Sequence, residues 1–297
     1  MKRVRIFSII FCIAAGITFF VYLYKSRQIL DNTGPKIIMD SDTVEISVED
    51  DTSAIFKGIT AEDSRDGDCS QYLLVEQFSN FIEKGRRQAT IAAFDSAGNV
   101  TKTVREVIYT DYESPKFSVS APFYFPVNSS SITQNITAYD CLDGDLTVFI
   151  KLSSEEGIDL YEEGTYDAVF MVSNSAGDTA RLPVTVDIYD SSDYSRQPHI
   201  LLSDYLIYVE KDTGFYPENY IEEVYYGSQS YLKEEDGELH YQGDLSNSSL
   251  PYTLSFNQIE VENPVDTSVP GVYEVTYRYS WGSYDTGSTR LIVVVTE

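Results

Sequence analysis

Two hydrophobic rhythms divide the chain. From Ile6 to Tyr24 the sequence runs without a charge. As a helix this stretch would span ~28 Å, close to the thickness of a bilayer hydrocarbon core. Beyond it the period falls to two. Tyr273, Val275, Tyr277 and Tyr279 alternate with Glu274, Thr276 and Arg278, the pattern of a strand with one buried face. The same alternation gives Tyr166, Ala168, Phe170 and Val172, and again Ala89, Ile91 and Ala93, preceded by Arg87 where the other two runs have Tyr. Gly85, Gly164 and Gly271 stand just before these runs, and Asp66-Gly67, Asp143-Gly144 and Ala97-Gly98-Asn99 punctuate the chain as turns. The last strand pattern is Leu291-Ile292-Val293-Val294-Val295. Short strands, regular turn clusters and little helical periodicity predict an all-β body of tandem β-sandwiches after one N-terminal transmembrane helix.

The strand patterns recur at nearly fixed spacing. Ile59-Thr60-Ala61-Glu62-Asp63-Ser64-Arg65-Asp66-Gly67-Asp68 returns in register as Ile136-Thr137-Ala138-Tyr139-Asp140-Cys141-Leu142-Asp143-Gly144-Asp145. Asp95-Ser96-Ala97-Gly98-Asn99 returns at almost the same offset as Asn174-Ser175-Ala176-Gly177-Asp178. Each unit opens on a proline: Pro35, Pro115 and Pro198. Internal repetition of this kind predicts tandem copies of one fold. The implied boundaries are 1–24 for a cytoplasmic tip and transmembrane signal-anchor, 25–34 for a tether, and 35–112, 113–190 and 197–297 for three domains.

These motifs resemble bacterial Ig-like repeats. They are similar to hyalin-type repeats of surface proteins and to the Ig-like domain of pesticidal crystal proteins. The resemblance covers residues 33–190; the third unit departs from it, keeping Asp236-Gly237-Glu238-Leu239 of the central motif and Val269-Pro270-Gly271-Val272-Tyr273 of the last strands. It implies three Ig-like domains, an extracellular location, stalk or binding duty and no catalysis.

Charge assigns the two ends to opposite sides of a membrane. The net charge of −26 divides into +5 from Met1 to Gln28 and −31 beyond that point. Lys2, Arg3 and Arg5 would hold the N-terminus in the cytoplasm, giving a single-pass protein with an extracellular body. A signal peptide cleaved near Ala14-Ala15-Gly16 is the competing reading, although it would leave Ile17–Tyr24 as an apolar new terminus. So acidic a body excludes general nucleic-acid binding. Its 42% hydrophobic residues exclude a disordered acidic tail.

Candidate chemistry is sparse. Asp63, Asp66, Asp68 and Asp95, with Asp140, Asp143 and Asp145 in the second unit, admit two readings: carboxylates capping turns, or hard oxygens for Ca²⁺. No other cofactor is implied. The third unit holds 13 of the 24 tyrosines and the single tryptophan. Trp281, Tyr284, Tyr225, Tyr226 and Tyr231 are its candidate platform for an envelope polysaccharide or a protein partner, and core or edge strand positions are the alternative for each. His240 lies in a polar stretch and is expected to be exposed; Cys69 and Cys141 are expected to be free thiols. The expectation is a bacterial surface protein, not an enzyme, whose repeats hold a distal recognition domain on the order of 90 Å from the membrane when placed end to end. A small hydrolase on a stalk and a pure spacer are the alternatives.

Overall fold

The computed structural model describes residues 2–29, 31–154, 157–243, 251–283 and 285–297. Helix α1, Lys2–Ile29, contains the uncharged stretch and continues through the first part of the expected tether. Its segment Ile6–Lys25 is long and apolar enough to cross a membrane, and none of it is buried by the rest of the protein. This is one N-terminal apolar helix of the kind found in single-pass anchors and signal sequences. The remainder is almost entirely β-structure, and the chain divides into two compact units, Met1–Tyr112 and Glu113–Glu297.

The first unit carries β1 (Lys36–Met39), β2 (Thr43–Ile46), β3 (Ile59–Asp63), β4 (Gly67–Asp68), β5 (Leu74–Phe78), β6 (Arg86–Phe94) and β7 (Val100–Tyr109). They form two sheets, β1-β3-β4 and β2-β7-β6-β5. Alternation decides which side chains enter the space between them. Ala89, Ile91 and Ala93 are fully buried from β6, and Ile59 and Ala61 face them from β3. Arg87 stands at a tyrosine position because it also fills an aromatic niche. Its guanidinium lies 3.9 Å from the centroid of the Phe78 ring and 5.2 Å from that of Tyr109. Buried Arg105 donates to the carbonyls of Ile55 (2.7 Å), Lys57 (2.6 Å) and Thr43 (3.2 Å), tying the loop after β2 to the sheet.

The second unit holds two sandwiches. One is built from β8 (Lys116–Val119), β9 (Tyr124–Pro126), β10 (Ile136–Asp140), β11 (Gly144–Asp145), β12 (Lys151–Ser153), β13 (Gly164–Ser173) and β14 (Thr179–Tyr189). After a four-residue helix α2 (Ser191–Tyr194) come β15 (His199–Leu202), β16 (Leu206–Glu210), β17 (Ile221–Tyr226), β18 (Gln229–Lys233), β19 (Leu239–Tyr241), β20 (Thr253–Leu254), β21 (Glu260–Glu262), β22 (Gly271–Ser280) and β23 (Thr286–Thr296). Their sheets are β11-β10-β8 with β12-β13-β14-β9, and β15-β17-β18-β19-β20 with β16-β23-β22-β21.

One topology recurs three times. In each sandwich the first strand pairs antiparallel with the third, while the second crosses to the other sheet and runs parallel to the last strand. Pro35, Pro115 and Pro198 are buried where each sandwich begins. The third sandwich is thus a true repeat, but its motif lies elsewhere than the sequence suggests. The hairpin matching β3–β4 and β10–β11 is β17–β18, turning at Gly227; Asp236-Gly237 turns the next hairpin.

Turns are held by a local device legible in the sequence. Asp51, Asp68, Asp145, Asp190 and Asp266 each accept the main-chain N–H of a Ser or Thr two residues on, at 2.7–3.0 Å. Hydrogen bonds from that residue's hydroxyl and N–H hold these carboxyls below the usual range. A carboxyl depressed by folding adds stability above its unfolded pKa of ~3.9, and that stability is lost as pH falls through the folded value. Urea midpoints of the body are therefore expected to be flat from pH 7 to about pH 5 and to fall below about pH 4. A midpoint that kept rising through pH 3 would contradict the capping role.

Candidate functional site

The end of the first sandwich gathers carboxylates from three segments. Asp63 closes β3, Asp95 follows β6, and Asp31 lies in the segment entering the sandwich; one oxygen of each lies within 4.8 Å of the others. Asp63 and Asp95 are buried. Asp63 Oδ1 accepts the N–H groups of Arg65 (2.7 Å) and Asp66 (3.1 Å), which hold its carboxyl below the usual range. Burial pushes the Asp95 carboxyl up, but hydrogen bonds from the Asn99 amide (2.7 Å) and N–H (2.8 Å) outweigh it and leave the carboxyl low. The same Asn99 amide donates to the carbonyls of Asp31 (3.2 Å) and Thr33 (3.3 Å), so one side chain fixes both the turn and the entering segment. Arg65 Nε lies 3.7 Å from Asp31 Oδ2 and offsets part of the negative charge.

This grouping differs from the set expected. Asp66 turns away and accepts from Ser96 N (2.7 Å) and Oγ (2.9 Å), while Asp68 caps Ser70. Both carboxylates are thus engaged by hydrogen bonds and lie outside the converging group. Asp31, which the sequence reading missed, supplies the third carboxylate. A signal was present: Asp31 stands before Pro35 as Asp111 stands before Pro115, at the same spacing. Asp111 itself is engaged by Ser47 Oγ (2.6 Å) and Val48 N (2.8 Å).

The second repeat closes the equivalent space with an amide. Asn174 stands where Asp95 does and donates from Nδ2 to Asp140 Oδ2 at 3.1 Å. Asp140 Oδ1 accepts Leu142 N (2.9 Å) and Asp143 N (3.0 Å), Asp143 binds Ser175 Oγ (2.7 Å), and Asp145 caps Thr147. Calcium is therefore not needed to account for Asp140, Asp143 or Asp145. Among the described residues, Asp31, Asp63 and Asp95 are the group whose oxygens converge closely enough for a hard divalent cation, with water completing its shell. If they hold calcium, adding it should raise the melting temperature of the body, and Asp95→Asn should abolish the rise, while also lowering the calcium-free melting temperature because the new amide would face the Asn99 amide that donates to Asp95. An unchanged melting temperature on calcium addition or chelation would remove the metal reading.

The aromatic platform expected in the third unit is largely core. Trp281 is 4% exposed and Tyr231 1% exposed. The Trp281 ring lies 5.3 Å from Tyr231, 6.1 Å from Tyr279 and 6.4 Å from Tyr226 by centroid. Burial pushes the Tyr231 hydroxyl up to about 12, and it donates to the Pro251 carbonyl at 3.1 Å. Tyr225 is half-buried against His199, and Tyr226 packs on the core cluster. Tyr284 lies outside the described residues. The apolar body of these rings, placed by strand alternation on the inner face, outweighed their value as exposed contacts. His240, too, is buried rather than exposed: its Nε2 lies 2.8 Å from Asp236 Oδ2 and its ring meets Tyr252 edge-on. Cys12, Cys69 and Cys141 are all free.

Exposed aromatic and apolar side chains lie instead on all three sandwiches: Tyr72 and Ile82 on that of the first unit, Tyr139, Val148, Phe149 and Tyr161 on the first sandwich of the second unit, and Tyr216 and Tyr252 on its second. An open hollow of about 490 Å³ is lined by Gly157, Ile158, Asp159, Leu160, Tyr161 and Tyr166.

No protein-family model matches the chain. It is similar to an uncharacterized 81.3 kDa protein of Acholeplasma phage L2, 25% identical over 172 residues that cover 55% of this chain and 23% of that protein. The chain thus matches less than a quarter of that relative's length. Among solved structures it is similar to Drosophila N-cadherin EC1-4, at 13% identity over 90% of this chain and 76% of that one, with a TM-score of 0.23. The lipoprotein BT2262 from Bacteroides thetaiotaomicron matches at 13% identity over 60% of this chain and 98% of its own, with a TM-score of 0.23. The M60 catalytic domain with CBM51-1 and CBM51-2 of Clostridium perfringens ZmpB matches at 12% identity over 90% and 31%, with a TM-score of 0.21. TM-scores of this size carry no argument. The Ig-like sandwich architecture rests on the three repeated sheet pairs.

Proposed function

We propose that this chain is a bacterial membrane-anchored surface protein, its N-terminus cytoplasmic, whose β-sandwich body presents a recognition surface to an envelope polysaccharide or a protein partner. The observation that carries this reading is the pairing of a bare apolar helix with a body of opposite charge. Ile6–Lys25 finds no cover in the protein, so water would meet a full-length apolar cylinder unless a bilayer or another partner takes it up. Lys2, Arg3 and Arg5 precede it, and the acidic body follows beyond Lys25 and Arg27, which favours cytoplasmic retention of the N-terminus. The recognition surface is not the Trp281 cluster, which is core. It belongs to the exposed side chains of the second unit, with Phe149 and Tyr252 as test positions.

The reading is of binding rather than catalysis. Its test is expression of the full chain in a bacterial host, with fractionation, protease shaving of intact cells and capture of envelope fractions by the purified body. Membrane-bound chain whose body is shaved from outside, and capture reduced at least ~10-fold by Phe149→Ser or Tyr252→Ser, would support it. Release of the body as a shortened soluble product would overturn the anchor. Turnover of envelope glycan or peptide by the purified body would favour the hydrolase alternative.

A further inference from the structure

In the second unit the two sandwiches meet on a surface that a strand pattern ordinarily leaves to solvent. Along β22 and β23 the inner face is Val275, Tyr277, Leu291, Val293 and Val295. The opposite face carries Val272, Glu274, Arg290, Ile292 and Val294. Ile292 is 3% exposed and belongs to the core cluster of the preceding sandwich, on which Leu206, Val272 and Val294 also pack. Strand β23 and the parts of β16 and β22 beside it are therefore covered on both faces.

Polar contacts cross the same junction. Glu274 accepts from Thr185 N at 2.7 Å and Thr185 Oγ1 at 2.5 Å. Arg290 pairs with Asp187, both largely buried. The Tyr208 hydroxyl accepts from Phe117 N at 2.8 Å and donates to Phe117 O at 3.3 Å. The connection between the sandwiches is clamped as well. Tyr124, Tyr189, Tyr194 and His199 stack in series at 4.1, 4.8 and 3.9 Å, and His199 leans on Tyr225 at 4.9 Å. Gln197 Nε2 donates to Tyr124 OH at 2.7 Å.

We propose that residues 113–297 act as one cooperative body, a rigid two-sandwich head in which neither sandwich opens without the other. Removing the third sandwich would expose Ile292's place in the second core and take Glu274 from Thr185 and Arg290 from Asp187. A binding partner then meets a composite surface with a fixed angle between the sandwiches, not a detachable tip. This goes beyond the surface-protein reading and does not depend on it, because its test reads folding and not location.

The test is amide hydrogen exchange, followed by mass spectrometry, on the full chain in detergent micelles. Leu239→Ala truncates a fully buried side chain of β19, on the sheet opposite the one that carries Ile292, Glu274 and Arg290. Truncation of such a leucine should speed exchange through global opening roughly 30-fold or more. In one cooperative body, the slowest peptides of β13 and β14 accelerate by the same factor as those of β17 to β19. Acceleration confined to residues 199–297 would overturn the proposal. Should Leu239→Ala fail to fold, Ile259→Val in the same core cluster is read in the same way, with an expected factor of about 3.

Discussion

Trp281→Ala is expected to lower the unfolding free energy of the second unit by about 3–5 kcal/mol, as loss of a buried aromatic does elsewhere. The indole is surrounded by Tyr226, Tyr231 and Tyr279, and only 4% of the residue reaches solvent. Its removal opens a cavity between the two sheets of the third sandwich that those rings, each with its own contacts, cannot collapse to fill. Tyr231 is held by its hydrogen bond to Pro251, and Tyr231 and Tyr241 lie 5.4 Å apart by centroid. Urea denaturation followed by far-UV circular dichroism measures the loss directly. A variant with the parent's midpoint and weakened partner binding would return Trp281 to the surface role that its place in a turn suggests.

Gly287→Ala is expected to be nearly as costly, for a different reason. A methyl group at Gly287 would lie 1.7 Å from the carbonyl oxygen of Pro198 and 2.8 Å from its carbonyl carbon. Both are main chain, so no side-chain rotation relieves the overlap. Either β23 or the connection entering the third sandwich must move, and that connection is held by the aromatic series through Tyr194 and His199. A loss of about 3 kcal/mol is expected, at the upper end for overpacking. Gly237→Ala is the comparison. That glycine has φ of 83° and open space around it, so its cost is conformational alone and about 1–2 kcal/mol. Equal midpoints for the two variants would mean that the connection yields and that the clamp is weak.

Much of the candidate site was legible one residue at a time, but not as a group. Asp63 and Asp95 stood out because the repeat marks them, and Asp66 and Asp68 stood out for the same reason. What separates them is direction. Strand period two sends Asp63 inward at the end of β3, whereas Asp66 sits on the following turn and reaches Ser96. Asp31 is far from Asp63 in sequence, with two strands between them, and reaches it only because Asn99 fastens the entering segment. The same limit applies to Trp281, Tyr231 and His240. Composition marks them as unusual, and burial decides whether that chemistry faces a partner or the core.

Order along the chain was enough to establish the apolar helix, the period-two strands, the repeat spacing, the Asp-Gly turns and the division of charge. These are short-range properties, set by backbone geometry and by neighbours within a few residues. How the sandwiches combine was settled only by long-range packing. An end-to-end row of three separate modules is the natural expectation from spacing, yet the second and third pack against one another, Ile292 of the third joining the core of the second. One trace of this was present in the run Leu291-Ile292-Val293-Val294-Val295, which lacks the alternation of a one-sided strand because both of its faces are covered. What covers the second face lies far back in the chain, Arg290 and its partner Asp187 being 103 residues apart, and no local pattern carries that distance.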